Sequence, residues 1–546
     1  MKKTLRAVPA IALALVLIMG LAVPAVDARA DGRAGVTESI AAGFESSFAV
    51  RDDGGLWAWG SNKLGRLGDG TTVDRVNPVR ILSDVASVSA GSSHALAIKE
   101  NGSLWAWGWN AEGQLGDGTS RQRLLPVEIM KNTAAVSAGG GYNIRPASGG
   151  GEITSESAFS VAIKTDGSLW AWGDNTYGQL GNGSTRRQLS PVEIMKDVVV
   201  VSAGAAHTMA IKKDGSLWAW GCNAYGQLGD GSTRDKFSPV EIMKDVAAVS
   251  AGGAHTVAVK KDGTLLAWGW NVDGQLGDGS TRQRLRPVEI MKDAVSVSAG
   301  GGYTVISTSN VSNVFIEGGY TTAIKKDGSQ WSWGSNKSGQ LGDGSNRQRL
   351  TPVKIQGDVA AISAGDEHAM ALRADGSLWA WGSNVHGRLG DGTNRQRVSP
   401  TRIMSGVMLP GSASSPGQTP PTTPPTTPPP ASDIKVYLNG RLLSFDVEPR
   451  IANGSTLVPL RAIFQEMGAT VSWNSSTHTV TARKGTTVVV LTIGDNSPTI
   501  NGQVKPISQP GIVVGGRTLA PLRFVAEAFG GTVSWDPASR TIRITS

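Results

Sequence analysis

The chain has 546 residues, too many for one ordinary domain, and it is rich in glycine (71 residues) and tryptophan (17 residues). Only 18% of the residues are charged, and the formal net charge is +8. This composition favours many short strands and tight turns over long helices. Because Cys222 is the single cysteine, a disulfide within the chain is excluded, and a hydrophobic core must hold the fold.

The N-terminus predicts a secretory signal peptide over residues 1–30. A basic start is followed by an apolar run, Ala10–Val23, which is short for a membrane span. Small residues in Ala28-Arg29-Ala30 then offer a cleavage site. We therefore expect the mature chain to be secreted or held at the cell envelope, without a membrane span. The alternative is an uncleaved membrane anchor.

A Trp-Ala-Trp-Gly step, or a close variant of it, recurs along residues 37–406 and divides them into seven units. Five units have the same length, and the third and sixth are longer because each carries an insert. Units 2–4 superimpose on units 5–7, inserts included, so the array is one unit plus a duplicated block of three. The steps begin at Trp57, Trp105, Trp170, Trp218, Leu266, Trp331 and Trp379, and the units are 37–84, 85–132, 133–197, 198–245, 246–293, 294–358 and 359–406.

Each unit shows four strand signals. In unit 4 the second and third signals flank the turn Lys213-Asp214-Gly215, and an Asp-Gly turn between alternating runs is typical of a hairpin. Four short antiparallel strands, repeated radially, form a propeller blade. The sequence therefore predicts a mainly β fold, a closed ring of seven blades. The alternative is an open solenoid, but no distinct capping repeats are visible.

Two repeated motifs carry a family resemblance. One is the step Trp-Gly-x-Asn with the loop Gly-Gln-Leu-Gly-Asp-Gly, found between Gly108 and Gly118 in unit 2, and the other is the Ala-Gly…His step that ends at His94. Both resemble the repeats of the regulator of chromosome condensation family, which implies a seven-bladed propeller over 37–406. More remotely, the resemblance implies guanine-nucleotide exchange, the founding member's activity, but export would keep the chain away from cytosolic GTPases.

The repeated residues predict structure rather than chemistry. Trp218 and Trp220 lie at i and i+2 of a strand and point to one face, so we expect them to stack between blades; the alternative is an aromatic cage. The repeated loop Asn, such as Asn223, tolerates a left-handed turn and bonds its own backbone. The loop Asp residues lack the spacing of a calcium site. We expect no cofactor, no metal and no catalytic site, since no nucleophile or phosphate-loop motif occurs.

Four histidines share one repeat position. Equivalent positions on a ring are rotated apart, so they do not converge on one zinc ion, and we expect hydrogen bonds between blades instead. These histidines are His94, His207, His255 and His368.

The departures from the repeat predict a partner-binding face. Inserts occupy residues 140–156 and 301–317, between the first and second strands of units 3 and 6, which are nearly opposite on the ring. In an antiparallel blade the loops after strands one and three lie on one side, so the inserts share a face with basic loops. The alternative is a solvated basic rim. The candidate residues are Tyr142, Tyr303, Arg121, Arg123, Arg186, Arg187, Arg234, Arg282, Arg284, Arg347, Arg349, Arg395 and Arg397.

Residues 409–432 contain nine prolines and predict an extended polyproline II linker. From 434 to 546 a new pattern begins, in which the segment Thr456–Arg461 recurs as Thr518–Arg523. A short helix follows each copy, and a Val-Ser-Trp step then opens a hairpin. We therefore predict a small α+β domain with two related halves.

The Val-Pro-Leu-Arg and Val-Ser-Trp steps, with the opening Tyr437–Gly440, are similar to the copper amine oxidase N-terminal-like, or stalk, domain of secreted proteins of Gram-positive bacteria. The match covers nearly all of 434–546. In such oxidases the chemistry belongs to a separate domain with three copper-binding histidines, whereas this domain has His478 alone. The resemblance implies neither copper nor oxidase activity, and a role in attachment or display at the envelope.

Taken with the predicted export, these features favour a non-catalytic binding or adhesion protein. We expect a monomer whose propeller engages an extracellular protein or an anionic cell-wall polymer, and not nucleic acid. The resemblance also implies a second function, inhibition of an extracellular enzyme such as a β-lactamase. A hydrolase or lyase with a site built from scattered residues is a further alternative.

Overall fold

The computed structural model describes two parts of the chain. The first is residues 38–410 except 147–151, 302–303, 309–310 and 316–317, and the second is residues 435–545 except 444–449, 453–454, 475–476, 478, 494, 496, 506, 508–511, 515–516 and 537–540. The predicted signal peptide and nearly all of the predicted linker lie outside the described residues. By its internal contacts the chain divides into two compact units, residues 1–418 and 419–546. Within the described residues, no helix has both the length and the apolar character that a membrane crossing requires.

The first unit is a seven-bladed β-propeller, as predicted. Each blade is an antiparallel meander of four consecutive strands. Blade 1 has β1 (Ile40–Ala42), β2 (Ser46–Val50), β3 (Leu56–Gly60) and β4 (Arg75–Leu82). Blade 2 has β5 (Val85–Ala90), β6 (His94–Lys99), β7 (Leu104–Gly108) and β8 (Arg123–Met130). Blade 3 has β9 (Thr133–Pro146), β10 (Glu152–Lys164), β11 (Leu169–Gly173) and β12 (Gln188–Met195). Blade 4 has β13 (Val198–Ala203), β14 (His207–Lys212), β15 (Leu217–Gly221) and β16 (Lys236–Met243).

The remaining blades follow the same order, with one additional hairpin in blade 6. Blade 5 has β17 (Val246–Ala251), β18 (His255–Lys260), β19 (Leu265–Gly269) and β20 (Arg284–Met291). Blade 6 has β21 (Ala294–Gly300), the hairpin β22 (Thr304–Thr308) and β23 (Val311–Phe315), then β24 (Tyr320–Lys325), β25 (Gln330–Gly334) and β26 (Arg349–Gln356). Blade 7 has β27 (Val359–Ala364), β28 (His368–Arg373), β29 (Leu378–Gly382) and β30 (Arg397–Met404). Short 3-10 turns at Lys63–Gly65 and Val385–Gly387 lie in the loops of blades 1 and 7.

The two inserts meet, although they leave blades on opposite sides of the ring. The insert of blade 3 lengthens β9 and β10 into one long hairpin. In blade 6 the insert forms the separate hairpin β22–β23. Strand β22 pairs in parallel with β9, with Thr304 opposite Tyr142 and Ile306 opposite Ile144. The sequence did not predict this pairing, because it joins residues that are far apart in the repeat pattern.

Paired tryptophans fill the space between blades. Trp220 is fully buried against Phe159 and Leu180 of blade 3, and its indole N–H donates to the carbonyl of Gln179, 2.9 Å away. Trp218 packs on the same face but is only half-buried. Its N–H donates to the Ser216 hydroxyl at 2.9 Å, and the Lys212 ammonium lies 4.8 Å from the ring centre. The prediction that both rings share one face and stack between blades is confirmed.

Serine side chains join the innermost strands. The backbone N–H of Ala203 donates to Ser137 Oγ of the preceding blade at 3.0 Å. This bond occupies an N–H on the open edge of a strand, which would otherwise lack a partner. Blade 1 has Ala41 in place of the serine. The equivalent bonds run from Ala42 to Ser363, Ala138 to Ser89, Ala251 to Ser202, Ala299 to Ser250 and Ala364 to Ser298.

The junction of blades 7 and 1 closes the ring. The Glu45 carboxylate lies 3.2 Å from Arg66 and 3.7 Å from Arg388, and both guanidinium groups are buried. Where the other five blades carry glutamine, blades 1 and 7 have these arginines. Beyond β30 the chain returns to blade 1, where the N–H of Met408 donates to the carbonyl of Val50 at 3.0 Å. A closed ring, and not a solenoid, is therefore confirmed.

The second unit has three small sheets and two short helices. In chain order the elements are β31 (Lys435–Leu438), β32 (Arg441–Leu442), β33 (Arg450–Ala452), β34 (Ser455–Pro459), α1 (Leu460–Glu466), β35 (Thr470–Asn474), β36 (Thr479–Lys484), β37 (Thr487–Thr492), β38 (Thr499–Ile500), β39 (Gln503–Val504), β40 (Ile512–Val514), β41 (Arg517–Pro521), α2 (Leu522–Glu527), β42 (Thr532–Asp536) and β43 (Thr541–Thr545). The sheet orders are β32-β31-β43-β42, β33-β34-β41-β40 and β35-β36-β37-β38-β39.

The two halves of this unit are related, as the repeat predicts. The repeated strands β34 and β41 pair antiparallel with each other, with Val458 opposite Ala520. Each ends in a proline directly before its helix. Ile463 of α1 and Val525 of α2 are fully buried in one shared core. The two related halves thus share one hydrophobic core, which stabilises a small α+β domain.

Gly204 directly follows the first strand of blade 4, at a point where the backbones of two blades approach closely. A Cβ atom there would lie 2.6 Å from both the Gly252 carbonyl oxygen and the His207 ring. We predict that Gly204→Ala lowers the free energy of unfolding by about 1–3 kcal/mol, because neither blade can move without straining the ring. Urea titration of the mature protein measures this.

Gly357 provides the matched control. Its backbone does not need glycine, and a Cβ atom would meet nothing within 4 Å. Gly357→Ala should be neutral or stabilise by up to ~1 kcal/mol. Equal effects of the two substitutions would contradict the close approach of the blades.

Candidate binding face

The antiparallel meander places two kinds of loop at the same end of every blade. The loops that follow the first strands and the loops that follow the third strands both lie there, and we call this end the loop face. The turns after the second and fourth strands lie at the other end. The predicted inserts and basic loops therefore share the loop face.

A buried asparagine fixes each third-strand loop. In blade 2 the Asn110 amide donates to Asp117 and to the carbonyls of Thr119 and Arg121, at 3.0–3.1 Å. Its carbonyl oxygen accepts from the N–H of Leu115 at 2.9 Å. The predicted loop-forming role is confirmed, but not the left-handed backbone, since φ at the equivalent Asn62 and Asn384 is −112° and −122°. The side-chain hydrogen bonds alone hold the loop.

Four of the predicted arginines form ion pairs within their own loops. The Arg123 Nη2 atom lies 2.6 Å from Asp117 Oδ2. Burial raises the pKa of Asp117, but hydrogen bonds from Thr119 and Arg123 outweigh it, so the pKa is lowered. These arginines are held in the loop and half-exposed, which leaves them less available to a partner. The other three pairs are Arg284–Asp278, Arg349–Asp343 and Arg397–Asp391.

A second set of arginines is exposed. Among the described residues, no acceptor lies within hydrogen-bonding distance of their guanidinium groups. They occupy one equivalent position in six blades, where blade 1 has Val73. These residues, called the exposed arginine ring below, are Arg121, Arg186, Arg234, Arg282, Arg347 and Arg395.

Three other residues of the predicted binding face do not belong to the exposed arginine ring. Arg187 reaches across a blade junction to Glu112, with 3.2 Å between Nη1 and Oε2. Tyr142 belongs to β9, in the part of the strand that pairs with β22. Tyr303 lies outside the described residues.

The four repeated histidines join neighbouring blades, as predicted. His207 Nε2 lies 3.0 Å from Thr256 Oγ1 of the next blade. That hydroxyl donates its proton to the Gln227 carbonyl at 2.8 Å, so the imidazole must be the donor to it. His94, His255 and His368 make the same contact with Ser160, Thr321 and Ser47. In the described part of the chain, no group of three metal-binding side chains occurs.

The loops after the first strands surround the mouth of the central channel. Ala-Gly steps from all seven blades line a shallow depression of about 90 Å³. Backbone bonds tie several of these loops together, such as Ala205 N–H to the Gly252 carbonyl at 3.2 Å. Among the described residues that line the mouth, Asp366 alone has an ionisable side chain.

Sequence reasoning missed an aromatic cluster on the loop face. Tyr225 of blade 4 meets Trp270 of blade 5 edge-on, with ring centroids 4.6 Å apart. Both rings are half-buried and pack on Ala205 and Ala254, in the loops after the first strands. The available signal was the variability of these two loop positions, which hold serine in blade 6, beside a constant Asn and Gly.

Fold and loop face together define a closed β-propeller that presents rigid, variable loops at one end. The family model "Regulator of chromosome condensation (RCC1) repeat" matches residues 53–98, 101–144, 166–211, 214–259, 262–307, 327–372 and 375–409, more than half of the chain. The chain therefore belongs to the regulator of chromosome condensation (RCC1) repeat family. A second model, "Copper amine oxidase N-terminal domain", matches residues 437–544.

Similar proteins and structures agree with this fold. The Ultraviolet-B receptor UVR8 of Arabidopsis thaliana is 30% identical over 169 residues, which is 30% of this chain and 36% of that one. Human Protein RCC2 is 47% identical over 49 residues, 9% of each chain. The match thus spans about a third or less of these relatives. Yeast RCC1 (Prp20), in a structure with Kap60, has a TM-score of 0.55 and 19% identity, covering 74% of this chain and 91% of that one. Human WBSCR16 has a TM-score of 0.53 and 22% identity, covering 64% and 94%.

The buried histidines predict acid lability. Burial lowers the pKa of His94 and His207 to about 3 and that of His255 to about 4. In the unfolded chain the pKa is near ~6.5, so only the unfolded state gains protons as the pH falls below that value. The contribution to stability is complete above pH ~6.5 and is lost progressively towards pH ~4. Urea titrations between these values should show a falling free energy of unfolding.

A substitution taken from the chain itself isolates this effect. Phe159 occupies the histidine position of blade 3, so His207→Phe copies a residue that the fold accepts. In the variant, the free energy of unfolding should fall less steeply as the pH decreases, by up to ~1.4 kcal/mol per pH unit, which is the contribution of one proton. An unchanged slope would show that His207 binds its proton equally in the folded and unfolded protein, which contradicts a lowered pKa.

Proposed function

We propose that this protein is an exported, non-catalytic binding protein, whose propeller engages a partner through the loop face. The exposed arginine ring carries this proposal. Six guanidinium groups stand at equivalent positions on loops that buried asparagines hold rigid, and within the described residues the fold uses none of them. Arginine on a preorganised loop is suited to binding carboxylate or phosphate groups.

The related chains support a binding role. They share RCC1-type repeats, and one solved structure contains Kap60 bound to yeast RCC1 (Prp20), so that protein forms a complex with a partner. At 19% identity the likeness concerns the fold, so the partner of this chain is not carried over.

The proposal also includes export of the protein from the cell and its attachment at the cell envelope. The basic and apolar N-terminus, followed by a small-x-small site, supports secretion. The match of residues 437–544 to the copper amine oxidase N-terminal domain supports a second module that holds or spaces the propeller at the cell envelope. N-terminal sequencing of the protein from the extracellular fraction tests export, and an uncleaved cytosolic chain would contradict it.

Replacing the six arginines of the exposed arginine ring by glutamine tests the face. Binding of the mature protein to the native extracellular proteins and cell walls should weaken roughly tenfold or more, because the loop face loses its unpaired charge. It should also weaken with added salt in the unsubstituted protein. Quantitative pull-down and biolayer interferometry measure both.

Lysines on the opposite face give a matched control. Six exposed lysines in turns after second and fourth strands can be replaced by glutamine, removing the same charge: Lys131, Lys196, Lys213, Lys244, Lys261 and Lys292. These substitutions should leave binding unchanged. If the lysine variant loses as much binding as the arginine variant, net charge and not the loop face determines binding.

A further inference from the structure

The position directly after each Trp-Gly step and the position three residues later vary among the blades, while the Asn between them and the Gly after them are constant. At the junction of blades 4 and 5, the later position of one blade, Tyr225, faces the earlier position of the next, Trp270. The corresponding pairs elsewhere are Leu64 and Trp109, Glu112 and Asp174, Tyr177 and Cys222, Asp273 and Ser335, Ser338 and Ser383, and His386 and Ser61.

Aromatic residues concentrate around blades 3–5. Tyr177 lies in the loop of blade 3, and Phe237, 45% exposed, packs over the adjacent Gly178. Val272, 52% exposed, follows Trp270 on the loop of blade 5. We call Tyr177, Tyr225, Phe237, Trp270 and Val272 the aromatic sector. It forms apolar surface on the loop face from the outer strands towards the channel mouth.

The fold does not require these rings. The neighbouring Trp268 is buried, and its N–H donates to the Gln227 carbonyl at 2.9 Å. By contrast, the Nε1 atom of the half-buried Trp270 is itself buried and has no hydrogen-bond acceptor among the described residues. Blade 6 builds the same loop with Ser335 and Ser338 at the equivalent positions. Tyr225 and Trp270 therefore form a surface feature that the loop conformation does not need.

Charged side chains lie on the same loops as the aromatic sector. Arg186, Arg234 and Arg282 of the exposed arginine ring lie on the same three loops. Acids also lie on these loops: Asp235 accepts the N–H of Asn223 at 2.7 Å, and Asp273 follows Val272. Asp174 accepts from the Thr176 hydroxyl at 2.7 Å and from the Gln179 amide at 2.8 Å. Aromatic residues and arginine are the types enriched at the energetic centres of protein–protein interfaces.

We infer that the aromatic sector docks an acidic segment of a partner protein, with apolar side chains on the rings and carboxylates on the arginines. This rests on the proposed function and specifies its partner. A cell-wall polymer also has the negative charge for the arginines, and its sugars can stack on rings, but aromatic residues together with arginine and the exposed aliphatic Val272 are typical of protein–protein interface centres. The observations thus favour a protein over an anionic polymer.

A phage-displayed random peptide library, selected on the intact mature protein, provides the first probe. Enriched peptides should combine aromatic or aliphatic anchors with several Asp or Glu residues. The double variant Tyr225→Ser/Trp270→Ser copies the residues of blade 6 and should bind a synthetic enriched peptide roughly tenfold or more weakly, the size of a hot-spot loss. Its thermal unfolding should match that of the parent.

Polyglutamate is the second probe, because it carries the charge without the anchors. Its binding should weaken in the arginine variant and remain unchanged in the double variant. Trp109→Ser, at the junction of blades 1 and 2 and outside the sector, should leave both probes unaffected.

The two probes separate the inference from the proposed function. If peptide binding depends on the arginines but not on Tyr225 and Trp270, the loop face binds partners and the aromatic sector is not the docking site. If neither variant changes binding of either probe, both the sector and the proposed loop face are wrong. Selection of basic or purely polar peptides would overturn the acidic partner.

Discussion

At six of the seven blade junctions, a backbone carbonyl of one blade accepts the indole N–H of the next. At the junction of blades 7 and 1 the Arg388 carbonyl accepts the Ser47 hydroxyl at 2.7 Å instead. In blade 3 the carbonyl of Gln179 accepts two hydrogen bonds from blade 4, from the Trp220 indole at 2.9 Å and from the Thr208 hydroxyl at 2.8 Å. The carbonyl belongs to the third-strand loop, so the bonds fix the loop of one blade to the core of the next. They are shielded from water by the buried ring, which strengthens them. The rigidity of the loop face follows from these bonds.

The histidines extend the same interaction. His207 donates to the Thr256 hydroxyl, which donates to the Gln227 carbonyl, which also accepts the Trp268 indole N–H. Because the hydroxyl proton is committed to the carbonyl, the imidazole must donate through Nε2. Burial lowers the pKa of His207 to about 3, which keeps the ring neutral. The blades without histidine at this position have serine, phenylalanine or tyrosine, and Tyr320 instead donates to the carbonyl of His368. Several side chains thus fit the same junction.

Periodicity predicts whatever the blades share, and tertiary pairing decides the rest. The closed ring, the stacked tryptophans and the bridging histidines were predicted because each recurs at a fixed spacing. The ion pair of Arg123 with Asp117 was not, because nothing in their separation along an irregular loop indicates contact. Glu45 binds Arg66 and Arg388 only at the closing junction, so no repeat could indicate it. The pairing of β22 with β9 likewise joins two inserts from distant blades.

In each loop, some residues fix the backbone and others vary between blades, which explains why binding residues can vary on this fold. Asparagine, aspartate and glycine set the backbone of the loop, and in six blades the Trp-bonded carbonyl anchors it to the next blade. The side chains of Tyr225 and Trp270 take part in neither task. At the Trp270 position blade 3 has Asp174, which bonds Thr176 and Gln179 of its own loop, so residues of different chemistry fit the same fold there. The duplication of three blades could therefore be followed by independent change on each copy. Blades 4 and 5 have Tyr225 and Trp270 where blades 6 and 7 have Ser338 and Ser383, so the junctions of the ring differ in the surface that they present.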